Sequence, residues 1–270
     1  MSYAIIQRRA NTYATGLKTP KKRVCSAKPL PVQKFSSDDI RGMLCDSDRL
    51  AARDQFGPEF CIDQGPLGQC NGVAACSALQ RAFIRNGLKD CPRLSSNWLY
   101  AQINGGRDNG SMLDDGMKQL QLGVPRWKPG HERKYKKREF TKSDNDAAGE
   151  FRSLECYGVE TETELATGLA LGFTAVVAVH VTNSWFKMNS KNIVNESNGV
   201  GNHAVVIDDC SIDEKTGAFL FDHVGSWGPN LHDHGRAFLT WDDHLSGPIS
   251  NHFFYLVRAT RLDDYPKGVK

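Results

Sequence analysis

The chain has 270 residues, of which 40% are hydrophobic and 24% charged, and its net charge is +3. This length and apolar content suffice for one large core or two small ones, which excludes a disordered or fibrous protein. The net charge is too small to imply a polyanionic partner. The longest apolar run, residues 165–181, is interrupted by Thr167, Thr174 and His180, so we expect no membrane-spanning helix.

The first 35 residues are polar and basic, with prolines at positions 20, 29 and 31. They predict an extended arm over residues 1–35, short for an inhibitory pro-segment, ahead of one folded domain over residues 36–270. The charges follow a very short apolar run, the reverse of a signal peptide, so we expect a cytoplasmic protein. Two basic runs, at 18–23 and 133–138, are interpreted as solvated loops, and nucleic acid is not an expected partner.

Helical periodicity dominates the first half of the chain. Apolar residues three and four apart from Val73 to Ile84, followed by Asn86 and Gly87, predict an amphipathic helix with Cys70 in its first turn. Shorter helices are predicted over 95–103 and 112–122. After residue 150, runs rich in Val, Phe and Ile predict strands over 174–181, 203–207, 217–223, 236–240 and 253–257. This order predicts an α+β fold with a helical lobe at about 60–135 and a β lobe at about 150–260.

Cys70 is the first candidate for chemistry. Unpaired N–H groups at a helix start stabilise a thiolate, so we expect the pKa of Cys70 to be lowered. The preceding glycine-rich turn would let Gln64 donate its amide N–H to an oxyanion beside the Cys70 backbone N–H. The eight cysteines include no CxxC pair, so neither a disulfide framework nor a zinc site is predicted.

The segment DQGPLGQCNGVAACSALQ, residues 63–80, resembles the nucleophile segment of the papain-like cysteine peptidases, particularly their compact bacterial-type branch. Further segments similar to that family follow in the same order: SSNWLYAQ at 95–102, GSMLDDGMKQLQLGV at 110–124, ETELATGLALGFTAVVAVHV at 162–181, GNHAVVIDDC at 201–210 and GSWGPNLHDHGRAFLTWDDHL at 225–245. The similarity covers about residues 50–260.

This resemblance implies a two-lobe papain-like fold, with a helical lobe and an antiparallel β-barrel-like lobe. It also implies that Cys70 is the nucleophile, that His203 is the general base and acid, and that Gln64 contributes to the oxyanion hole. Peptide or protein would be the substrate, and no cofactor is expected.

Several positions depart from the family pattern. Gly225 stands where the family has the Asn that orients the imidazole, while Trp227, which shields that hydrogen bond, is retained. Asn71 replaces the usual aromatic residue after the nucleophile, and Leu67 replaces the cysteine of a local disulfide. Either His223 or an ordered water is a candidate for orienting His203 in place of the missing Asn.

Two main hypotheses follow. The first is a cysteine peptidase that cleaves peptide bonds through a Cys70–His203 dyad, and the second is a catalytically impaired papain-like module with a binding or structural role. A cell-wall peptide amidase is weaker, because the QG and SWG segments belong to the papain branch. His232, Asp233, His234 and His244 are interpreted as part of a solvated loop, and no metal site is predicted.

Overall fold

The structure is a computed structural model that describes residues 16–18, 27–30, 35–46, 49–195, 202–246 and 254–259. The helices are α1 (Ser37–Leu44), α2 (Ala52–Gln55), α3 (Cys70–Arg85), α4 (Ser96–Ile103), α5 (Leu113–Leu122), α6 (Lys142–Asp146) and α7 (Glu162–Ala170). The strands are β1 (Lys28–Pro29), β2 (Ser153–Val159), β3 (Thr174–Val179), β4 (His203–Ile212), β5 (Phe219–Val224), β6 (Arg236–Leu239) and β7 (Phe254–Ala259). Single helical turns lie at Pro58–Phe60, Lys137–Glu139, Ala147–Glu150, Asn183–Phe186 and Trp241–Leu245.

Helix α3 is the centre of the helical part. Every residue from Cys70 to Phe83 is buried, and the helix ends where Gly87 takes a φ of 101°, a conformation that favours glycine. Helix α4 begins at Ser95, whose Oγ accepts a hydrogen bond from Trp98 N at 3.3 Å. Both boundaries agree with the sequence prediction to within one residue.

The strands form one sheet in the order β1-β2-β7-β3-β4-β5-β6. All neighbours are antiparallel except β1 and β2. Because strand side chains alternate, Ala204 and Val206 of β4 face the core shared with α3, while Val205 and Ile207 face a second core that α7 covers. The sheet is therefore packed between two helical layers.

The sequence missed part of this sheet. Strand β2 was not predicted, and β1 lies within the stretch predicted as an extended arm. Strand β4 continues to Ile212, past its predicted end at residue 207, because Asp208 lies at a register shift that lets the strand resume beyond it. Asp208 and Asp209, which follow the predicted end at residue 207, are buried within the strand.

Asp208 is the centre of a buried ion network. It is fully buried and accepts hydrogen bonds from Arg81 Nε at 2.8 Å and from Arg236 Nη1 at 3.2 Å. Arg85 Nη2 donates to the Asp208 backbone carbonyl at 2.6 Å. Burial alone would raise the pKa of Asp208, but the charges of Arg236 and Arg81 outweigh burial and lower it. The network therefore fixes α3 against β4 through charged groups.

No helix within the described ranges combines the length and the apolar character needed to cross a bilayer.

Candidate active site

Helix α3 begins at Cys70, as predicted, and the thiol is fully buried. Burial raises the pKa of Cys70 to about 11, while hydrogen bonds with the backbone of Ala204, Asn71 and Gly16 act in the lowering direction. The expectation of a lowered pKa is therefore wrong for this conformation. Loss of water around the sulfur outweighs the favourable position at the helix start, so the thiol is neutral here.

Part of the cover over Cys70 belongs to the chain's own N-terminal segment. Gly16 is so close that a Cβ built on it would lie 2.3 Å from the Gly68 carbonyl oxygen and 2.8 Å from Cys70 Sγ. On the other side, a Cβ on Gly110 would lie 2.3 Å from the Gly16 carbonyl oxygen. Only glycine can be accommodated at position 16, because its backbone is in direct contact with the backbones of Gly68 and Gly110.

Backbone hydrogen bonds hold this segment in place. Ser111 N donates to Gly16 O at 2.9 Å, and Lys18 N donates to Ser111 O at 2.9 Å, which makes a parallel bridge between Leu17 and Ser111. Leu17 N donates to Asn202 O at 3.3 Å. The cleft beside Cys70 therefore binds an extended polypeptide through main-chain groups. The rest of the arm up to residue 26 lies outside the described residues.

His203 is the first residue of β4 and is fully buried. Its ring stacks on Trp227, with centroids 4.2 Å apart and planes 10° from parallel. Neither ring nitrogen has a hydrogen-bond partner within the described part of the chain. Burial lowers the pKa of His203 to about 3, so the imidazole is neutral.

The structure brings Cys70 and His203 to the same end of the molecule. The Cys70 thiol is hydrogen-bonded to the backbone of Ala204, the residue after His203, where the starts of α3 and β4 meet. Asn202, the residue before His203, binds the same N-terminal segment that covers the thiol. The two residues chosen from the sequence therefore lie at one cleft, although no hydrogen bond joins the Cys70 thiol to a His203 ring nitrogen in the described part of the chain.

Gln64 lies buried in the loop leading to Cys70. Its Nε2 donates to Leu67 O at 2.9 Å, and its backbone carbonyl accepts a hydrogen bond from Gln69 Nε2 at 2.9 Å. Its backbone N–H donates to Ser226 O at 2.8 Å, which links this loop to the segment around Gly225. The amide group is thus held in the nucleophile loop, with one Nε2 hydrogen on Leu67.

Gly225 leaves open space beside the imidazole strand. Its N–H donates to Gly235 O at 3.0 Å, and a Cβ built on it would meet only that carbonyl oxygen, at 3.7 Å. A side chain could therefore begin here without a clash. Within the described residues no group has taken over the hydrogen bond that an Asn at this position would make to His203.

His223 does not orient His203. In the β4–β5 pairing it lies opposite Ile207, four residues beyond His203, which corresponds to about 13 Å along a strand. Its Nδ1 is instead hydrogen-bonded to Ala237 O at 2.8 Å, and its ring packs edge-on against Trp185 at 5.2 Å. The suggested orienting role is wrong, because strand spacing separates the two rings.

Of the histidines predicted to lie in a solvated loop, His234 is exposed as predicted, whereas His232 and His244 are held by hydrogen bonds. His232 Nε2 is hydrogen-bonded to Trp185 O at 2.9 Å, and the buried His244 Nε2 to Val194 O at 3.1 Å. Asp233 is paired with Arg53 at 2.6 Å. Burial lowers the pKa of both histidines. His232 and His244 join the 183–195 segment to the rest of the fold, so the prediction of a solvated loop is wrong for these two histidines.

Sequence reasoning missed several side chains that shape the cleft. Asn71 Nδ2 donates to Met112 O at 2.7 Å and to Ser111 Oγ at 3.1 Å, so it anchors the wall that binds the N-terminal segment. Asp108 and Tyr100 connect that wall to the nucleophile loop. These pairs are 8 to 41 residues apart in the chain, and no local sequence pattern signals them.

A cavity of about 440 Å³ opens elsewhere, between α1 and the far end of β4. Its lining includes Leu44, Arg53, Cys210 and Phe238. It contains none of the predicted site residues, so the filled cleft, and not this cavity, is the candidate active site.

No family model matches this sequence, and no curated protein does. Solved structures do match. Xylellain, a cysteine protease from Xylella fastidiosa, superposes with a TM-score of 0.66 at 21% identity, over 93% of this chain and 98% of the other. Digestive procathepsin L2 proteinase from the Tenebrio molitor larval midgut gives a TM-score of 0.66 at 17% identity, over 94% and 80%.

The bromelain protease from Ananas comosus, in complex with the E64 inhibitor, gives a TM-score of 0.58 at 18% identity, over 74% of this chain and 92% of the other. These likenesses cover most of the chain, and they agree with the predicted α+β class. The chain therefore has the fold of the papain-like cysteine proteases.

Proposed function

We propose that the protein is a cysteine peptidase that cleaves peptide bonds, with Cys70 as nucleophile and His203 as general base and acid. The observation that carries this proposal is the occupied cleft. An extended polypeptide, residues 16–18, lies against the Cys70 thiol and is bound by main-chain hydrogen bonds to Ser111 and Asn202. A cleft that binds backbone in this way would present a substrate peptide bond to the thiol.

The reaction would begin with transfer of the Cys70 proton to a His203 ring nitrogen. The thiolate then adds to the substrate carbonyl carbon, and the oxyanion receives hydrogen bonds from the Cys70 backbone N–H and from the second Nε2 hydrogen of Gln64. The imidazolium protonates the leaving amine, which gives a thioester and neutral His203. Water, deprotonated by His203, adds to the thioester, and collapse of that intermediate returns the proton to the thiolate sulfur as the acid leaves.

Residues 16–18 keep this chemistry from starting. With a thiol pKa of about 11 and an imidazole pKa of about 3, the proton stays on sulfur while the segment is in place. Departure of the segment would uncover the Cys70 thiol and admit water to it, which removes part of the burial that raises its pKa. The proposed resting form is therefore closed, and the segment acts as an intramolecular inhibitor despite the short length of the arm.

The second candidate is a catalytically impaired module with a binding or structural role. Gly225 has no side chain to hold the imidazole, and both His203 ring nitrogens lack a partner among the described residues. An imidazole that is not held in one tautomer and orientation transfers protons poorly, and loss of the orienting group in such triads lowers turnover by orders of magnitude.

Turnover of a broad peptide library by the parent, by Gly225→Asn and by Cys70→Ala distinguishes the two, with each also measured in a chain carrying Gly16→Ala so that residues 16–18 do not keep the cleft closed. Because the space beside Gly225 is open, we expect Gly225→Asn to raise parent turnover about tenfold or more by fixing the ring. A peptidase must also lose all turnover in Cys70→Ala. Absence of turnover in both the parent and Gly225→Asn would favour the impaired module, and turnover that persists in Cys70→Ala would reject the assignment of the nucleophile.

A further inference from the structure

Asp108 lies in the loop between α4 and α5, which forms one wall of the cleft. Its Oδ1 accepts a hydrogen bond from the backbone N–H of Gly68, two residues before Cys70, at 2.8 Å. The same oxygen accepts a second hydrogen bond from the Tyr100 hydroxyl at 2.8 Å. One exposed carboxylate therefore connects the nucleophile loop to helix α4.

The direction of each hydrogen bond in this group is determined by chemistry. An ionised carboxylate can only accept, so the Tyr100 hydroxyl must donate its proton to Asp108. Its oxygen is then free to accept a hydrogen bond from Gly110 N, which lies at 3.0 Å. Burial, the larger cause, and the Asp108 charge raise the pKa of Tyr100 well above its usual range, which keeps the hydroxyl protonated.

Asp108 and Tyr100 thus hold both walls of the cleft at once. Gly68 and Gly110 are the two residues between which Gly16 packs, and a Cβ on Gly68 would lie 3.3 Å from Gly110 N. Ser111, next to Gly110, supplies the N–H and the carbonyl that bind the N-terminal segment. A shift of Asp108 would therefore move the loop carrying the nucleophile relative to the backbone that binds a peptide.

The hydrogen bond from Gly68 N to Asp108 also attaches the nucleophile loop in the absence of a disulfide there. The sequence has Leu67 at the position of a disulfide cysteine in the papain-like pattern, so the nucleophile loop cannot be fixed by that bond. Internal hydrogen bonds of the loop, such as Gln64 Nε2 to Leu67 O, hold the loop to itself but do not attach it to the opposite wall. The Asp108 hydrogen bond makes that attachment.

We propose that Asp108, together with the Tyr100 hydroxyl, is a positioning residue that sets the nucleophile loop against the peptide-binding wall of the cleft. This inference rests on the proposed peptidase function for its kinetic consequence. Its structural consequence does not depend on turnover, because the same wall holds residues 16–18 over Cys70. Loosening the tie weakens the binding of that segment as well as the alignment of a substrate.

The test uses the full chain with Asp108→Ala, Asp108→Asn and Tyr100→Phe, and with Asp90→Ala as a matched control that removes an exposed aspartate on the turn after α3. Two readouts are measured for each protein. The first is kcat and KM on a peptide substrate selected from the library, and the second is the rate at which iodoacetamide alkylates Cys70, followed by mass spectrometry of the Cys70 peptide. Urea unfolding of each variant reports its stability.

We expect Asp108→Ala to lower kcat by about 10- to 100-fold, since a small misplacement of reacting groups has that effect, and to raise the alkylation rate of Cys70 at least threefold. Asp108→Asn keeps an oxygen that accepts both hydrogen bonds, so both readouts should stay within about threefold of the parent. Tyr100→Phe should change both readouts as Asp108→Ala does. A double variant with Asp108→Ala and Tyr100→Phe should change kcat and the alkylation rate no more than either single variant does.

Equal behaviour of Asp108→Ala and Asp90→Ala in both readouts would overturn the inference, and so would failure of Asp108→Asn to restore them. If Asp108→Ala instead lowers the unfolding midpoint, and Asp108→Asn lowers it equally, the residue is merely structural and the inference is again wrong. If neither the parent nor the chain with Gly16→Ala turns over peptide, the proposed function fails, and the alkylation rates alone then decide whether Asp108 positions the loop.

Discussion

Replacing Gly16 with Ala should expose Cys70. The new Cβ would lie 2.3 Å from the Gly68 carbonyl oxygen and 2.6 Å from its carbon, and because these are backbone atoms the segment itself must move. Three backbone hydrogen bonds hold the segment, at 2.9, 2.9 and 3.3 Å. At about 0.5 to 1.5 kcal/mol each, their loss weakens the closed state by roughly 1.5 to 4.5 kcal/mol. The open fraction should then rise about 10- to 2,000-fold, until the cleft is mostly open.

The assay is the alkylation rate of Cys70 by iodoacetamide, which follows the open fraction when opening and closing are fast relative to alkylation. Gly149→Ala is the matched control, because a Cβ at Gly149 meets no heavy atom within 4 Å. Its alkylation rate should equal that of the parent. If Gly16→Ala also reacts at the parent rate, residues 16–18 do not cover the thiol in solution, and the closed resting form is wrong.

Two further predictions concern stability. Arg81→Met should lower the free energy of unfolding by about 3 to 5 kcal/mol in urea titrations, because it removes one partner of the buried Asp208 carboxylate, and a loss below about 1 kcal/mol would contradict the role given to the network. His203 has a folded-state pKa of about 3 against 6.5 for the free side chain. As the pH falls below 6.5, only the unfolded state therefore binds a proton at this group, and the free energy of unfolding decreases. His203→Gln removes this titrating group, so its free energy of unfolding should fall less than that of the parent between pH 6.5 and pH 5, by at most about 2 kcal/mol. An unchanged pH dependence would show that the ring is already hydrated in the folded protein.

The helix around Cys70 and the main strands could be predicted because their patterns are local. Apolar spacing from Val73 to Ile84 and the stop at Gly87 lie within one helix, and β-branched runs marked β3 and the start of β4. The end of β4 could not be predicted. The strand was predicted to end before Asp208. The carboxylate of Asp208 can be buried within the strand only because Arg81 and Arg236 form ion pairs with it in the folded chain.

The state of the site was harder to predict than its location. A cysteine at a helix start argues for a lowered thiol pKa, and that argument considers only the helix. Burial decides the pKa, and part of that burial comes from Gly16, more than fifty residues earlier in a polar stretch typical of a solvated arm. Likewise, Tyr100 lies in a segment that the resemblance covers and Asp108 does not, but neither role could be predicted, since it depends on two loops that meet only in the folded chain.

The ion pair between Arg81 and Asp208 also has a geometric consequence for Cys70 and His203. Arg81 lies eleven residues after Cys70 in a helix, and Asp208 lies five residues after His203 in a strand, and both distances come to about 16 Å. Helix α3 and strand β4 both start at the cleft, and the Arg81–Asp208 ion pair connects them at the same distance from it. Inserting or deleting one residue would change the helical span by about 1.5 Å or the strand span by about 3.3 Å, and it would rotate the side chains beyond that point. The relative position of Cys70 and His203 therefore depends on the equal lengths of the two spans as well as on local contacts.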